Sequence, residues 1–114
     1  MTKRNYPARD IKLLWGFSAA RCNHPDCKLV CIQEGTSTDK DAIFGKIAHI
    51  YAHSEGGPRF NPDLPSEDRD KYENWLLLCA NHHDVVDRQP LTYPSQTLIQ
   101  WKKDHETWVH GNLS

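Results

Sequence analysis

The stretch NWLLLCANHHDVVD, Asn74 to Asp87, concentrates the side chains best suited to chemistry. Its apolar run, Trp75 to Leu78, has the length and bulk of a buried strand and leads straight into a cysteine, two histidines and an aspartate. A thiol and imidazoles at such a junction are costly to bury idle, because each must bond or bind something. If a helix begins near Asn81, His83 and Asp87 share one helical face and can point at a single ion. His82 then points elsewhere, toward a partner of Cys79. One short segment is thus expected to serve two neighbouring metal sites, one structural and one catalytic.

Upstream, RCNHPDCKLVC carries Cys22 and Cys27 on either side of a turn containing Pro25 and Asp26, which can aim both thiolates at one ion. With Cys79 and His82 at C-x-x-H spacing they form a candidate tetrahedral Zn2+ site of three thiolates and one imidazole. Four protein ligands leave no open position, so this zinc is expected to be structural. Cys31 lies two residues after Leu29 in the strand-like KLVCIQE and is expected to be a buried free thiol on the same apolar face. Replacement of His82 by Cys31, in an all-thiolate site, is the alternative. His24 is expected to be a surface residue of the turn.

Four elements must position these groups. Ile11, Leu14, Trp15 and Ser18 recur at helical spacing, which predicts a helix over Ala8 to Ala20 packing its Trp15 face on the core. Lys3, Arg4, Arg9 and Lys12 form a basic cluster, read either as a phosphate contact or as a solvated helix face. The polar turn GTSTDKD separates two strand-like segments, the second being AIFGKIAHIYAHS. A long loop follows, rich in glycine and proline, with a short helix expected over Glu67 to Tyr72. Pro90 stops the helix that carries His83, and Pro94 suits the first turn of a closing helix with Leu98, Trp101, His105 and Trp108 on one stripe. His105 is expected to be structural.

A chain of 114 residues fits a single domain with one modest core. No apolar stretch approaches membrane-spanning length. The N-terminal residues lack the apolar core and cleavage site of a signal peptide, so a cytoplasmic location is expected, and with it thiols available for metal rather than two disulfides. The formal net charge of -1 is unusual for an autonomous nucleic-acid binder. Another domain, a partner or self-association would be needed to bring such a domain to nucleic acid.

His49, in the strand-like segment before the long loop, would lie near the metal-bearing helix. It could draw a proton from water beside a phosphodiester held by a divalent ion. IAHIYAHSEGGPR followed by NWLLLCANHHDVVD resembles the HNH nucleases of the ββα-metal class. The likeness extends through RCNHPDC and LIQWKKDHE, a core of about residues 14–106. It implies an α+β fold: a small, zinc-stapled ββα-metal domain with flanking N- and C-terminal helices. His49 would be the general base, Asn74 would hold the ββ loop or contact the metal, and His83 would be a metal ligand. Asp87 stands where many members carry a further histidine, an exchange suiting Mg2+ or Mn2+. Ala48 replaces the Asp or His that often precedes the base and adds a metal ligand.

In particular the chain resembles the nuclease domain of HNH effectors of bacterial anti-phage defence. Those effectors are activated by a cyclic oligonucleotide, assemble through a sensor domain and degrade double-stranded DNA. The resemblance therefore implies DNA as partner, a sensor or oligomerisation domain, and a homo-oligomer. Arg59, after Gly-Gly-Pro, is a candidate phosphate clamp, with a salt bridge to Glu55 or Asp63 as the competing role. His53 is expected at the surface. Two rival readings remain at this level: a catalytically silent, zinc-stapled nucleic-acid-binding module, and a metal-free domain held by disulfides.

Overall fold

A computed structural model describes residues 6–113; Lys3 and Arg4 of the expected basic cluster lie outside them. The fold is α+β, with two small antiparallel sheets and helices around them. Helix α1 (Ala8–Ser18) places Asp10 in its first turn, where a carboxylate complements the helix dipole. It ends two residues before the expected boundary because Ala19 and Ala20 take the left-handed conformation, with φ of 53° and 57°. Its inner face is Asp10, Leu14 and Ser18, with Trp15 packed beside it half-buried. Arg9 and Lys12 are exposed on its outer face.

The expected strand over KLVCIQE is reduced to β1 (Ile32–Gln33), which pairs with β2 (Ala42–Ile43). Cys31 and Leu29 do not share an apolar environment: Cys31 is 0% exposed and Leu29 53%. The segment is nonetheless extended there, Val30 bridging to Arg21 while Cys31 N–H donates to Ala20 O and Leu29 O accepts from Cys22 N–H.

Strands β3 (Gly45–His49) and β4 (Trp75–Cys79) pair antiparallel, with His49 opposite Trp75 and Gly45 opposite Cys79. Every residue of β4 is buried, because the strand is covered by α1 and by α3 (Ala80–Arg88) as well as by β3. That is why WLLLC is a continuous apolar run rather than an alternating one. Gly45 is required by close approach: a Cβ there would stand 2.7 Å from the Trp15 ring.

Between β3 and β4 runs the long loop, with α2 (Ser66–Arg69) and a 3₁₀ turn (Tyr72–Asn74) where one short helix was expected. Asp10 accepts a hydrogen bond from Tyr72 N–H at 2.9 Å, tying this return to α1. The closing helix α4 (Ser95–Leu113) buries Leu98 and His105. His105 is the structural residue expected of it: Nε2 donates to Ser18 O at 2.9 Å, and Nδ1 accepts from Lys28 Nζ at 2.9 Å. Among the described residues, no helix is long and apolar enough to cross a membrane.

Candidate metal and catalytic centre

The turn bearing Cys22 and Cys27 is docked onto β4 by its backbone, with Asn23 N–H donating to Leu77 O at 2.8 Å and Cys22 N–H to Leu29 O at 2.9 Å. The end of β4 supplies Cys79, and the first turn of α3 supplies His82. The four ligand atoms lie within 4.8 Å of one another. His82 Nδ1 is 3.5 Å from Cys22 Sγ and 3.3 Å from Cys79 Sγ. A tetrahedral ion with ordinary metal–sulfur and metal–nitrogen lengths would set such pairs roughly 3.6 Å apart, close to these two separations. All four cysteines are free thiols, and Cys31 stands outside the cluster.

Burial, the dominant effect, pushes the Cys22 thiol up to about 12 and the Cys31 thiol up to about 11. The difference between the two is what surrounds them. Cys31 needs only Leu29 O, 3.6 Å from its Sγ, and stays a neutral core group. Cys22 faces two more thiols and an imidazole, a set that a cation would stabilise in the thiolate form. His24 is not a bystander in the turn: its ring stacks on His82 at 4.0 Å and 14°, and it meets Trp101 at 4.8 Å. Burial, followed by the neighbouring His82, lowers its pKa. Sequence spacing alone gave no signal for this support of a ligand by a residue two positions after Cys22.

At the other end of the β3–β4 pair, Asn74 is 5% exposed and clasps the long loop. Its Oδ1 accepts from Tyr51 N–H at 3.0 Å, and its Nδ2 donates to Tyr51 O and Arg69 O, both at 2.9 Å. These contacts tie Asn74 to both ends of the long loop.

His49 and Asp87 line the same cavity, of about 100 Å³, together with Ala52, His53 and Gly57. A larger cleft of about 400 Å³ lies around Tyr51, Leu64, Lys71 and Glu73, without a cluster of metal-ligating groups. His83 Nε2 is 3.6 Å from Asp87 Oδ2, as their spacing on one face of α3 requires. They are a pair, and no third ligating side chain joins them among the described residues.

Two expectations are corrected here. Arg59 does not offer a phosphate clamp or bind Glu55 or Asp63. Its side chain is 4% exposed and pairs with Asp87 at 2.7 Å. The guanidinium also donates to the carbonyls of His49, Ile50, Val86 and Tyr93. It bridges β3, α3 and the turn before α4, and its backbone is left-handed, with φ of 60°. His53 is not at the surface either, its side chain being 8% exposed. It turns back toward His49, and both meet Asp70: His49 Nε2 is 3.0 Å from Asp70 Oδ1 and His53 Nδ1 2.9 Å from Asp70 Oδ2. The four-residue interval from His49 to His53 was visible in the sequence; Asp70, in an acidic loop, was not distinguishable from its neighbours.

The arrangement offers a thiol-rich cluster for holding an ion at one end of the β3–β4 pair and an imidazole-and-carboxylate cavity suited to proton transfer at the other. Neither any protein-family model nor any curated protein matches the chain.

Proposed function

We propose that the protein is a metal-dependent HNH-type endonuclease that hydrolyses phosphodiester bonds of double-stranded DNA. The observation that carries this reading is the shared cavity of His49 and Asp87, with Asn74 pinning the segment between their two elements. His49 takes the proton from the attacking water, in a cavity small enough to restrict solvent. His83 and Asp87 hold a divalent ion, Mg2+ or Mn2+, which when bound supplies positive charge to the phosphate and the departing oxygen. The cluster of Cys22, Cys27, Cys79 and His82 takes Zn2+ as a staple, a donor set that suits a borderline-soft ion. The resemblance to defence effectors adds a cytoplasmic anti-phage role and a sensor that brings copies together on DNA. The net charge of -1 agrees with help from such assembly.

A second reading, a silent zinc-stapled binding module, has one observation in its favour: Asp87 is already engaged by Arg59, leaving His83 as the less committed ligand. Plasmid cleavage separates the two. Wild type, fused to a dimerising partner, is compared with His49→Ala in magnesium, manganese or chelator, with folding followed by circular dichroism. Metal-dependent cutting that vanishes in a folded variant supports the nuclease; no cutting by the folded, dimerised wild type supports the module.

A further inference from the structure

His53 is a buried imidazole that makes no hydrogen bond among the described residues. Its side chain is 8% exposed, yet neither Nδ1 nor Nε2 has a hydrogen-bond partner there. The nearest acceptor, Asp70 Oδ2, is at hydrogen-bond length from Nδ1, 2.9 Å, but is out of line with the N–H direction. An orphaned polar group this deep in a fold calls for a ligand. The other side chains around it identify one. His49 ends β3, His53 lies in the following loop, and Asp70 follows α2, so three separate segments converge with ligand atoms within 4.8 Å. The two imidazole planes cross at 64°, and the His49 and Asp70 side chains are each 11% exposed.

We infer that His49, His53 and Asp70 form a second transition-metal site, taking a zinc- or manganese-like dication. Distances suit such an ion. With nitrogen and oxygen donors about 2.1 Å away, adjacent donors stand about 3.0 Å apart at right angles and about 3.4 Å apart in a tetrahedron, so a manganese-like geometry fits as the site stands and zinc needs a slight opening. The two nitrogen–oxygen separations in the cluster are 3.0 and 2.9 Å. Two imidazoles with one carboxylate suit transition ions rather than magnesium, which prefers oxygen. The adjoining cavity of about 100 Å³ gives an ion a path and room for water ligands. Coordination through His49 Nε2 fixes the proton on Nδ1. Resting on the nuclease reading, in which His49 must accept a proton, a filled site therefore switches the base off.

The test is a zinc titration of the full chain, already loaded at its cysteine cluster, followed by ¹⁵N spectra of the histidine rings. The expected result is a joint shift of His49 Nε2 and His53 Nδ1, saturating at one additional equivalent and not produced by magnesium. His53→Gln and Asp70→Asn, checked for folding by circular dichroism, should weaken it roughly tenfold or more, while His83→Ala should retain it. Rings unmoved by excess zinc would overturn the site and leave a hydrogen-bonded cluster only. Cleavage that persists when the site is saturated would overturn the switch. Absence of any cleavage would count against the nuclease alone, since the ring shifts do not depend on it.

Discussion

Arg59 and Asp87 meet at 2.7 Å across the β3–α3 boundary, and the arginine side chain is 4% exposed while the aspartate is 36% exposed. A residue of the long loop thus acts as a structural tie, and the carboxylate available to a metal is oriented by a guanidinium.

Arg59→Ala should cost roughly 3 kcal/mol, because it leaves a carboxylate and several inward-facing carbonyls without their donor. Urea denaturation measures this. Wild-type stability with weakened DNA binding would restore the phosphate-clamp role.

Asn74→Asp should destabilise at least as much as Asn74→Ala, by about 2–3 kcal/mol. The aspartate keeps the acceptor for Tyr51 N–H but replaces the donor to Tyr51 O and Arg69 O with a second oxygen. Hydrogen exchange should report opening of the long loop, and protection equal to wild type would count against the clasp.

Metal removal by a strong chelator, or Cys79→Ser, should unfold the domain, since a structural ion's binding energy is folding energy. Cys31→Ala should cost on the order of 1 kcal/mol for a small core void and leave metal content unchanged. Metal analysis with thermal melts checks both; metal lost from Cys31→Ala with His82 dispensable would exchange their assignments.

Stability should fall as the solution is acidified below pH 6.5. His105 has its pKa lowered from 6.5, chiefly by burial, so the unfolded chain binds the proton more readily than the folded one. The stability it confers is complete above that ordinary value and is lost as pH falls toward the depressed folded value. His105→Gln can still donate to Ser18 O and accept from Lys28, and should flatten this dependence in melts recorded across the range.

Ala48→Asp, the change that would supply the ligand often found before an HNH base, should destabilise by several kcal/mol instead of improving metal affinity. Ala48 is 0% exposed and sits opposite Leu76 in the core. Unchanged stability with tighter manganese binding would show that the carboxylate reaches the ion.

The cysteine cluster was legible because ligand type and spacing constrain each other: Cys22, Cys27, Cys79 and His82 do converge. Strand β4 and helices α1, α3 and α4 were legible for the same reason, through length and periodicity. The roles of Arg59, His53 and His24 were not. Each is set by what the long loop or the cysteine turn folds back against, a tertiary fact with no local period. For Cys31 and Leu29 the alternation predicted a shared buried face, and only Cys31 is buried: an antiparallel bridge between Arg21 and Val30 keeps the segment extended, but Leu29 lies 53% exposed.

The cluster also has a consequence for biogenesis. Cys22 and Cys27 are made early, Cys79 and His82 much later, and an ion bridging them closes about half of the chain into one loop. Closing a loop of that span costs roughly 3–4 kcal/mol of chain entropy. A bound ion would offset that cost together with the core around it, so maturation would depend on metal supply as well as on synthesis.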